Sequence, residues 1–241
     1  MISKDDFLNG KVLLFDKDKE WTSFDLVNKT RYLIRKSFNI KKIKVGHAGT
    51  LDPLATGLLI VCSGKQTKQI NQYQDLNKTY VTTFKLGEST PSFDLETPVD
   101  KTLPFEHITR EKIEEILPRF TGKIEQIPPM YSAINVNGQR AYQLARKGKE
   151  VELKTKNIEI YTINILEFSL PNLTLEIICS KGTYIRSLAR DIGEALDTVA
   201  YVTELRRTQI GDFNVEDAIS VKKFEEQLNN TISVSENLTI N

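Results

Sequence analysis

The longest uninterrupted apolar run in the chain is Leu58 to Cys62 (LLIVC), bounded by Gly57 before it and by Ser63 and Gly64 after it. A bilayer-crossing helix needs about 20 apolar residues, so the run spans nothing. Its shortness and its glycine boundaries predict a buried strand. Other segments set the context. Lys11 to Asp16 (KVLLFD) reads as a strand, and Thr79 to Leu86 alternates as one. Ile158–Ser169 and Leu173–Cys179 read as strands joined by a turn at Pro171-Asn172. Between them lie helical patterns. Ser23 is placed to cap a helix with Leu26, Val27, Leu33, Ile34 and Phe38 on one face, and Thr109 to cap another. Lys65 to Tyr73 predicts a short helix, Gln139 opens a basic one that Gly148 ends, and Gly182 opens one reaching about Leu196. The remainder reads as a basic strand region, a short helix and a polar tail. Strands and helices alternate without a regular βαβ beat. The expected class is therefore α/β in the α+β sense, with a mixed, mainly antiparallel central sheet flanked by helices and loops.

The same survey excludes several chemistries. The N-terminus, MISKDDFLNGK, is polar where a signal peptide needs an apolar stretch. Two cysteines, 117 residues apart, form no CxxC and no disulfide framework. His47 and His107 share no ligand spacing with each other or with a cysteine. There is no Walker loop and no GxGxxG opening a helix. The expectation is a reduced, cytoplasmic protein that uses no metal and no cofactor.

Net charge is only +1, yet the charge is segregated. Leu26 to Gln74 holds nine basic residues and one acid, Asp52, where average composition would place six or seven acids. Gln126–Lys149 carries Arg140, Arg146, Lys147 and Lys149 with no acid, and Ile177–Arg190 carries Lys181, Arg186 and Arg190 with none. Arg206 and Arg207 adjoin each other. The acids collect in Glu88–Glu115 and after Gly211. A basic face on a near-neutral molecule is the footprint of a polyanion, although solvated helices carry such residues too.

Four segments carry chemistry. In GHAGTLDPLATG, Gly46 to Gly57, three glycines permit unusual backbone angles, and Pro53 keeps Asp52 off helical angles. One rigidly presented carboxylate in a basic neighbourhood suits a nucleophile better than a general acid. A turn aspartate fits the same spacing. In SKGTYIRSLARDIG, Ser180 to Gly193, a helix start at Gly182 and Thr183 would offer backbone donors to phosphate. Arg186 and Arg190 would share a helix face, as surface arginines or with Arg186 as a bidentate partner for Asp52. In KTYVTTFKLG, Tyr80 at a strand start offers a face on which an extruded base stacks, or is a core tyrosine. In Ile127–Gly148, Tyr131 and Tyr142 interleave with Arg140 and Arg146, as in an RNA clamp or a plain surface loop.

These segments, in this order, resemble the bacterial tRNA pseudouridine synthase B (TruB) family over about Lys11 to Phe213. The resemblance implies a pseudouridine synthase fold as one catalytic domain over 1–241, without a C-terminal PUA module. It implies an RNA-gripping insertion at about 127–153 and a short extension after about 213. The implied activity is isomerisation of the uridine at position 55 in the T-loop of tRNA, by flipping the nucleotide out, without cofactor or metal. By match, Asp52 is the nucleophile, Tyr80 the stacking tyrosine, and Arg186 the arginine paired with the aspartate. Tyr184 lies near the uracil, His47 holds extruded nucleotides, Leu205 lines the pocket, and Lys17 is the lysine of the first motif. Arg140, Arg146, Lys181 and Arg206 are the expected RNA contacts. The expected partner is the T-arm of tRNA, bound by a monomer with no membrane and no protein partner. Attack by Asp52 at C1′, a glycal route and attack at C6 all remain open at this level. The chain departs from the family at Asp18 and Glu20, where Pro and Gly are usual, and at Asn135, where lysine is usual.

Overall fold

The computed structural model describes residues 3–136, 138–149 and 151–238, with side chains through residue 231. In chain order the elements are α1 (Lys4–Asn9), β1 (Val12–Lys17), α2 (Ser23–Phe38), β2 (Val45–His47), β3 (Thr56–Ser63), α3 (Ile70–Asp75) and β4 (Lys78–Leu86). Then come α4 (Arg110–Ile116), β5 (Gly122–Gln126), α5 (Ala141–Ala145), β6 (Lys156–Ser169), β7 (Asn172–Cys179), α6 (Ile185–Ala195), β8 (Ala200–Ile210), β9 (Phe213–Asn214) and α7 (Val221–Leu238). The chain divides into two compact units. One holds the residues up to Lys78 and those from Arg206 on, and the other is Thr79–Leu205.

In the first unit the strand order is β1-β3-β8, with β2 also pairing β3 and β9 pairing β8. Strand β3 runs antiparallel to β1 (Val12↔Cys62 through Lys17↔Gly57) and to β2 (Val45↔Ser63). It runs parallel to β8 (Arg206↔Thr56, Arg207↔Gly57). Neighbours on both edges and a core on each face explain why LLIVC is apolar throughout rather than alternating. Leu59 and Val61 join a cluster with Leu13, Phe15, Leu26, Ile34, Phe224 and Leu228. Leu58, Ile60 and Cys62 join another with Ala48, Ile210 and Val215. Burial pushes the Cys62 thiol up to about 11, as befits a small core side chain rather than a nucleophile.

Two local expectations for this unit need correction. The cap of α2 is Thr22, not Ser23. Thr22 Oγ1 accepts from Asp25 N and Asp25 Oδ2 accepts from Thr22 N, both at 3.0 Å, a reciprocal box. Ser23 is committed elsewhere, to Leu51. The polar tail is largely helix: α7 runs through Leu238. Val221, Phe224 and Leu228 recur at i, i+3 and i+7, so one stripe of an otherwise polar segment is buried.

In the second unit the order is β8-β4-β7-β6-β5. Strands β6 and β7 form the antiparallel hairpin that Pro171-Asn172 predicts, and β5 pairs the start of β6 (Ile158↔Ile124). Thr109 caps α4 as expected, its Oγ1 accepting from Lys112 N. The helix expected from Gly182 begins instead at Ile185, with Tyr184 as its cap residue. Gly182 has φ 80°, outside helical angles, so neither it nor Thr183 is a helix N-terminal donor. The helix expected from Gln139 shrinks to Ala141–Ala145, because Asn135–Val136 and Gln139–Arg140 pair as a hairpin ahead of it. Within the expected insertion, residues 137 and 150 lie outside the described residues. The class expected from sequence holds: a mixed, mostly antiparallel sheet flanked by helices.

The Phe224 ring meets Phe15 edge-on at 5.4 Å and Phe7 at 6.2 Å between centroids. Phe224→Ala is expected to cost about 3–5 kcal/mol of stability. Urea unfolding of the full chain followed by circular dichroism measures this. A loss below 1 kcal/mol would show that α7 is not part of the core.

Candidate active site

Asp52 lies on the loop between β2 and β3, and nearly every residue around it is tied down. Ala48 N donates to Ile60 O at 2.9 Å. Ser23 Oγ donates to Leu51 O at 3.0 Å and accepts from Leu51 N at 2.8 Å. Pro53 O accepts from Glu20 N at 2.8 Å, and Ala55 N donates to Asp52 O at 3.1 Å. The backbone on both sides of Asp52 is therefore fixed, while its own side chain is half-buried.

Two buried cations complete the clamp. Lys17 is fully buried, and its Nζ donates to Asp18 O (2.9 Å), Trp21 O (2.7 Å) and Pro53 O (3.3 Å). Its three protons thus join the first motif to the Asp52 loop, which explains how the motif holds with Asp18 and Glu20 in place of Pro and Gly. Glu20 takes a positive φ of 71°, the backbone state that glycine accepts without strain. Burial pulls Lys17 down to about 8, against the charges of Asp52 and Asp18, with Arg207 adding to the lowering. Arg207 is also buried. Its Nε donates to Leu58 O at 2.8 Å and its Nη2 to Gly49 O at 3.1 Å. A Cβ on Gly57 would stand 2.2 Å from Arg207 O, so only glycine allows this approach of β3 and β8. His47 is half-buried, and burial together with the Arg207 charge holds its imidazole below the ordinary histidine value, so it is neutral at pH 7. Arg206 faces away from this clamp and binds Asp16 through two bonds of 3.0 and 2.8 Å.

In the second unit Arg186 is only 4% exposed. Its Nη1 donates to Ser92 O at 3.0 Å, its Nη2 to Tyr131 O at 2.9 Å, and its Nε stands 3.5 Å from Asp94 Oδ2. It is thus no ordinary surface arginine, and it does not share an exposed face with Arg190, which bonds Asp191. Asp94 is itself held by Ser92 Oγ at 2.6 Å. Tyr184 N donates to Gln126 Oε1 at 2.8 Å, and the Tyr184 ring lies under Lys156 at 5.7 Å. Tyr80 is buried, Leu205 half-buried and Lys181 exposed. Arg140 and Arg146 are exposed. Arg140 donates to Ala133 O at 2.6 Å, while Arg146 meets Glu96 at 2.6 Å and stacks on Tyr142 at 5.5 Å. The structure therefore gathers Lys17, His47 and Asp52 around one clamp, and Arg186 with the Tyr131 backbone around another.

Three participants escape a reading of the sequence: Arg207, Ser23 and Asp94. Arg207 looks like half of a surface pair with Arg206, and Asp94 is lost in an acid-rich stretch. Gly57 is the signal that could have found Arg207, because a strand glycine marks close backbone approach. Among the described residues no cluster of His, Cys, Asp or Glu could hold a metal ion, and no helix is long and apolar enough to cross a membrane.

Comparison with known proteins identifies the family. Residues 35–185 match the TruB family pseudouridylate synthase N-terminal domain, and residues 186–238 match the tRNA pseudouridylate synthase B C-terminal domain. The chain is 58% identical to tRNA pseudouridine synthase B of Phocaeicola vulgatus over 222 residues, covering 92% of this chain and 94% of that protein. It is 53% identical to tRNA pseudouridine synthase B of Parabacteroides distasonis over 232 residues, covering 96% and 99%. Among solved structures it is similar to a chain of a Cbf5-Nop10-Gar1 complex, with TM-score 0.66 and 27% identity over 90% of this chain. It is also similar to a chain of an H/ACA RNP bound to a substrate RNA containing 2'-deoxyuridine, with TM-score 0.64 and 27% identity over 91% of this chain. It spans about half the length of those solved chains, 54% and 53%. The chain belongs to the TruB family of pseudouridylate synthases, isomerases that convert uridine to pseudouridine.

Lys17 supplies a test of the clamp. Below about pH 8 the folded and unfolded chains both hold its proton. Between about 8 and 10.5 only the unfolded chain does, so this group's contribution to stability rises with pH across that window. Lys17→Met removes the ammonium donor from Asp18 O and Trp21 O, while Pro53 O keeps Glu20 N, and is expected to lose about 1–3 kcal/mol at pH 7. The gap to wild type should widen from pH 8 to pH 10. Urea midpoints of both proteins at pH 7, 8, 9 and 10 measure it, and a constant gap would refute the buried-ammonium account.

Proposed function

We propose that this enzyme acts as a monomer on the T-arm of tRNA, isomerising the uridine at position 55, with Asp52 as the nucleophile. That uridine in tRNA is the substrate follows from the family. The position and the nucleophile rest on this chain's own residues and on their match to the family's motifs. The observation that carries the reading is the Asp52 loop, whose backbone is bonded on both sides of a carboxylate that keeps partial exposure. A carboxylate that must meet a sugar carbon needs a fixed approach, because a displaced nucleophile forfeits much of the gain from orientation. A turn aspartate with only a local role would not require two buried cations to hold its neighbours.

The reaction breaks N1–C1′, turns the uracil and forms C5–C1′. The C5 proton leaves and N1 gains one, so the product is an isomer. Asp52 meets C1′ as the base departs. Target atoms inside a folded loop require the nucleotide to be everted. Tyr80 supplies the face on which the everted uracil stacks, with Tyr184 and Leu205 lining the base pocket. By its match to the family's motif, Arg186 is the arginine that serves the nucleophilic aspartate. The neutral His47 contributes a hydrogen bond and shape to the extruded nucleotides, not charge. Arg140, Arg146, Lys181 and Arg206 meet phosphates. For Arg146 and Arg206 this means exchanging Glu96 and Asp16 for the RNA backbone. The whole chain acts as one catalytic domain in the cytoplasm, without metal or cofactor.

The test uses unmodified tRNA tritiated at uracil C5. Wild type should release tritium from a single T-loop uridine. Asp52→Asn should lower the rate by at least about 10³-fold, the scale seen when a nucleophile is removed, while tRNA binding in a filter assay persists. Parallel loss of binding and turnover would make Asp52 a structural residue, and release from another loop would move the target.

A further inference from the structure

Away from the Asp52 loop, the C-terminal half of α2 and the segment after it line an open groove of about 650 Å³. Its walls include Asn28, Arg31, Tyr32, Arg35, Lys36 and Lys41, and no carboxylate. On the helix these positions recur at three- and four-residue steps, so they form adjoining rows on one face. Neutral acceptors hold the two guanidinium groups. Arg31 Nη1 donates to Asn28 Oδ1 at 2.7 Å and Nη2 to Val45 O at 3.0 Å. Arg35 Nε donates to Ile40 O at 3.3 Å. The geometry of both groups is thereby set, and among the described residues neither pairs with an acid.

Four other arginines of the chain are paired with acids: Arg110 with Glu114, Arg146 with Glu96, Arg190 with Asp191 and Arg206 with Asp16. Among the described residues, Glu225 of α7 is taken by Lys29 at 3.1 Å. Helix polarity accounts for part of the pattern, since the dipole stabilises cations in a last helical turn. That covers Arg35 and Lys36. It leaves Arg31, which lies earlier, and Lys41 and Lys42, which lie beyond the cap residue Asn39. Like charges gathered on one groove repel one another in the free protein, and a polyanion relieves that repulsion. Spaced guanidinium forks with free N–H donors match phosphate oxygens, and the Tyr32 ring, 56% exposed, adds a stacking face.

We propose that this α2 groove is a second RNA site that binds the phosphodiester backbone of the substrate tRNA. The inference rests on tRNA being the substrate. RNA is favoured over an anionic membrane because Arg31 is bonded to the first residue of β2, the strand that leads into the Asp52 loop. One RNA can therefore run along a single unit from groove to loop.

The experiment compares wild type with Arg35→Gln/Lys36→Gln/Lys41→Gln, binding unmodified tRNA across a range of KCl concentrations. Each lost phosphate contact lowers the slope of log K against log[KCl] by about 0.7–0.9, so the slope should fall by about 2–3. The Kd near 0.1 M salt should rise roughly tenfold or more, with the single-turnover rate at saturating tRNA unchanged. Arg35→Lys/Lys36→Arg/Lys41→Arg should keep the wild-type slope. Lys36→Gln/Lys41→Gln removes no side-chain hydrogen bond among the described residues, and it should still lower the slope by about 1–2 if the triple variant misfolds. An unchanged slope and Kd in folded variants overturns the proposal. So does unchanged RNA binding alongside lost binding to phosphatidylserine vesicles, which would assign the groove to lipid. Tritium release from a site other than the T-loop, together with a lowered slope, would overturn the proposed position and leave the groove standing.

Discussion

Two cations buried against backbone carbonyls hold the candidate site in place. Lys17 and Arg207 bring charge into the interior of the first unit, and among the described residues no carboxylate hydrogen-bonds either of them. A buried charge is costly unless its donors are satisfied. Here the acceptors are peptide oxygens of segments far apart in sequence: Asp18, Trp21 and Pro53 for one, Gly49 and Leu58 for the other. An ion pair with a surface acid would have tied down one side chain. Carbonyl acceptors tie down main chain instead, and the main chain so fixed is the loop that carries Asp52.

Much of this was legible in the residues. LLIVC had to be a strand with apolar surroundings, and its place at the centre of the first unit explains its uniform composition. The β6–β7 hairpin followed from two apolar runs around Pro171-Asn172. The Asp52 loop stood out because glycines, a proline and a lone acid occurred together. What failed did so for physical reasons. Ser23 and Thr22 are both good cap residues, and only the tertiary bond from Ser23 to Leu51 decides between them. The helix expected at Gly182 starts later because Tyr184 N goes to Gln126, a partner 58 residues away. The tail read as polar because its apolar stripe is narrow, and the value of that stripe depends on Phe7 and Phe15 being opposite.

Charge was the least legible property. A count along the sequence treats every arginine alike, yet the structure sorts them into three kinds. Some are buried and hold backbone, as Arg207 does. Some are exposed and matched to acids, as Arg206 and Arg110 are. Others are at least partly exposed and, among the described residues, matched only to neutral oxygen, as Arg31 and Arg35 are. Arg186 combines the first two, because its buried guanidinium spans two carbonyls and Asp94. The windows that look uniformly basic therefore mix scaffold, locked surface and open surface, and only the last has the bare charge of a ligand site.

The order of the two units along the chain has a consequence for biosynthesis. Thr79–Leu205 is an unbroken stretch set inside the other unit. Translation delivers it whole, with its hairpin and its helix, while the flanking unit still lacks β8's final residues, Val215, Phe224 and Leu228. Until those emerge, Leu59, Val61 and Phe15 have no cover from α7. The inner half can therefore be complete on the nascent polypeptide while the half bearing Asp52 still waits for its later strand and helix residues.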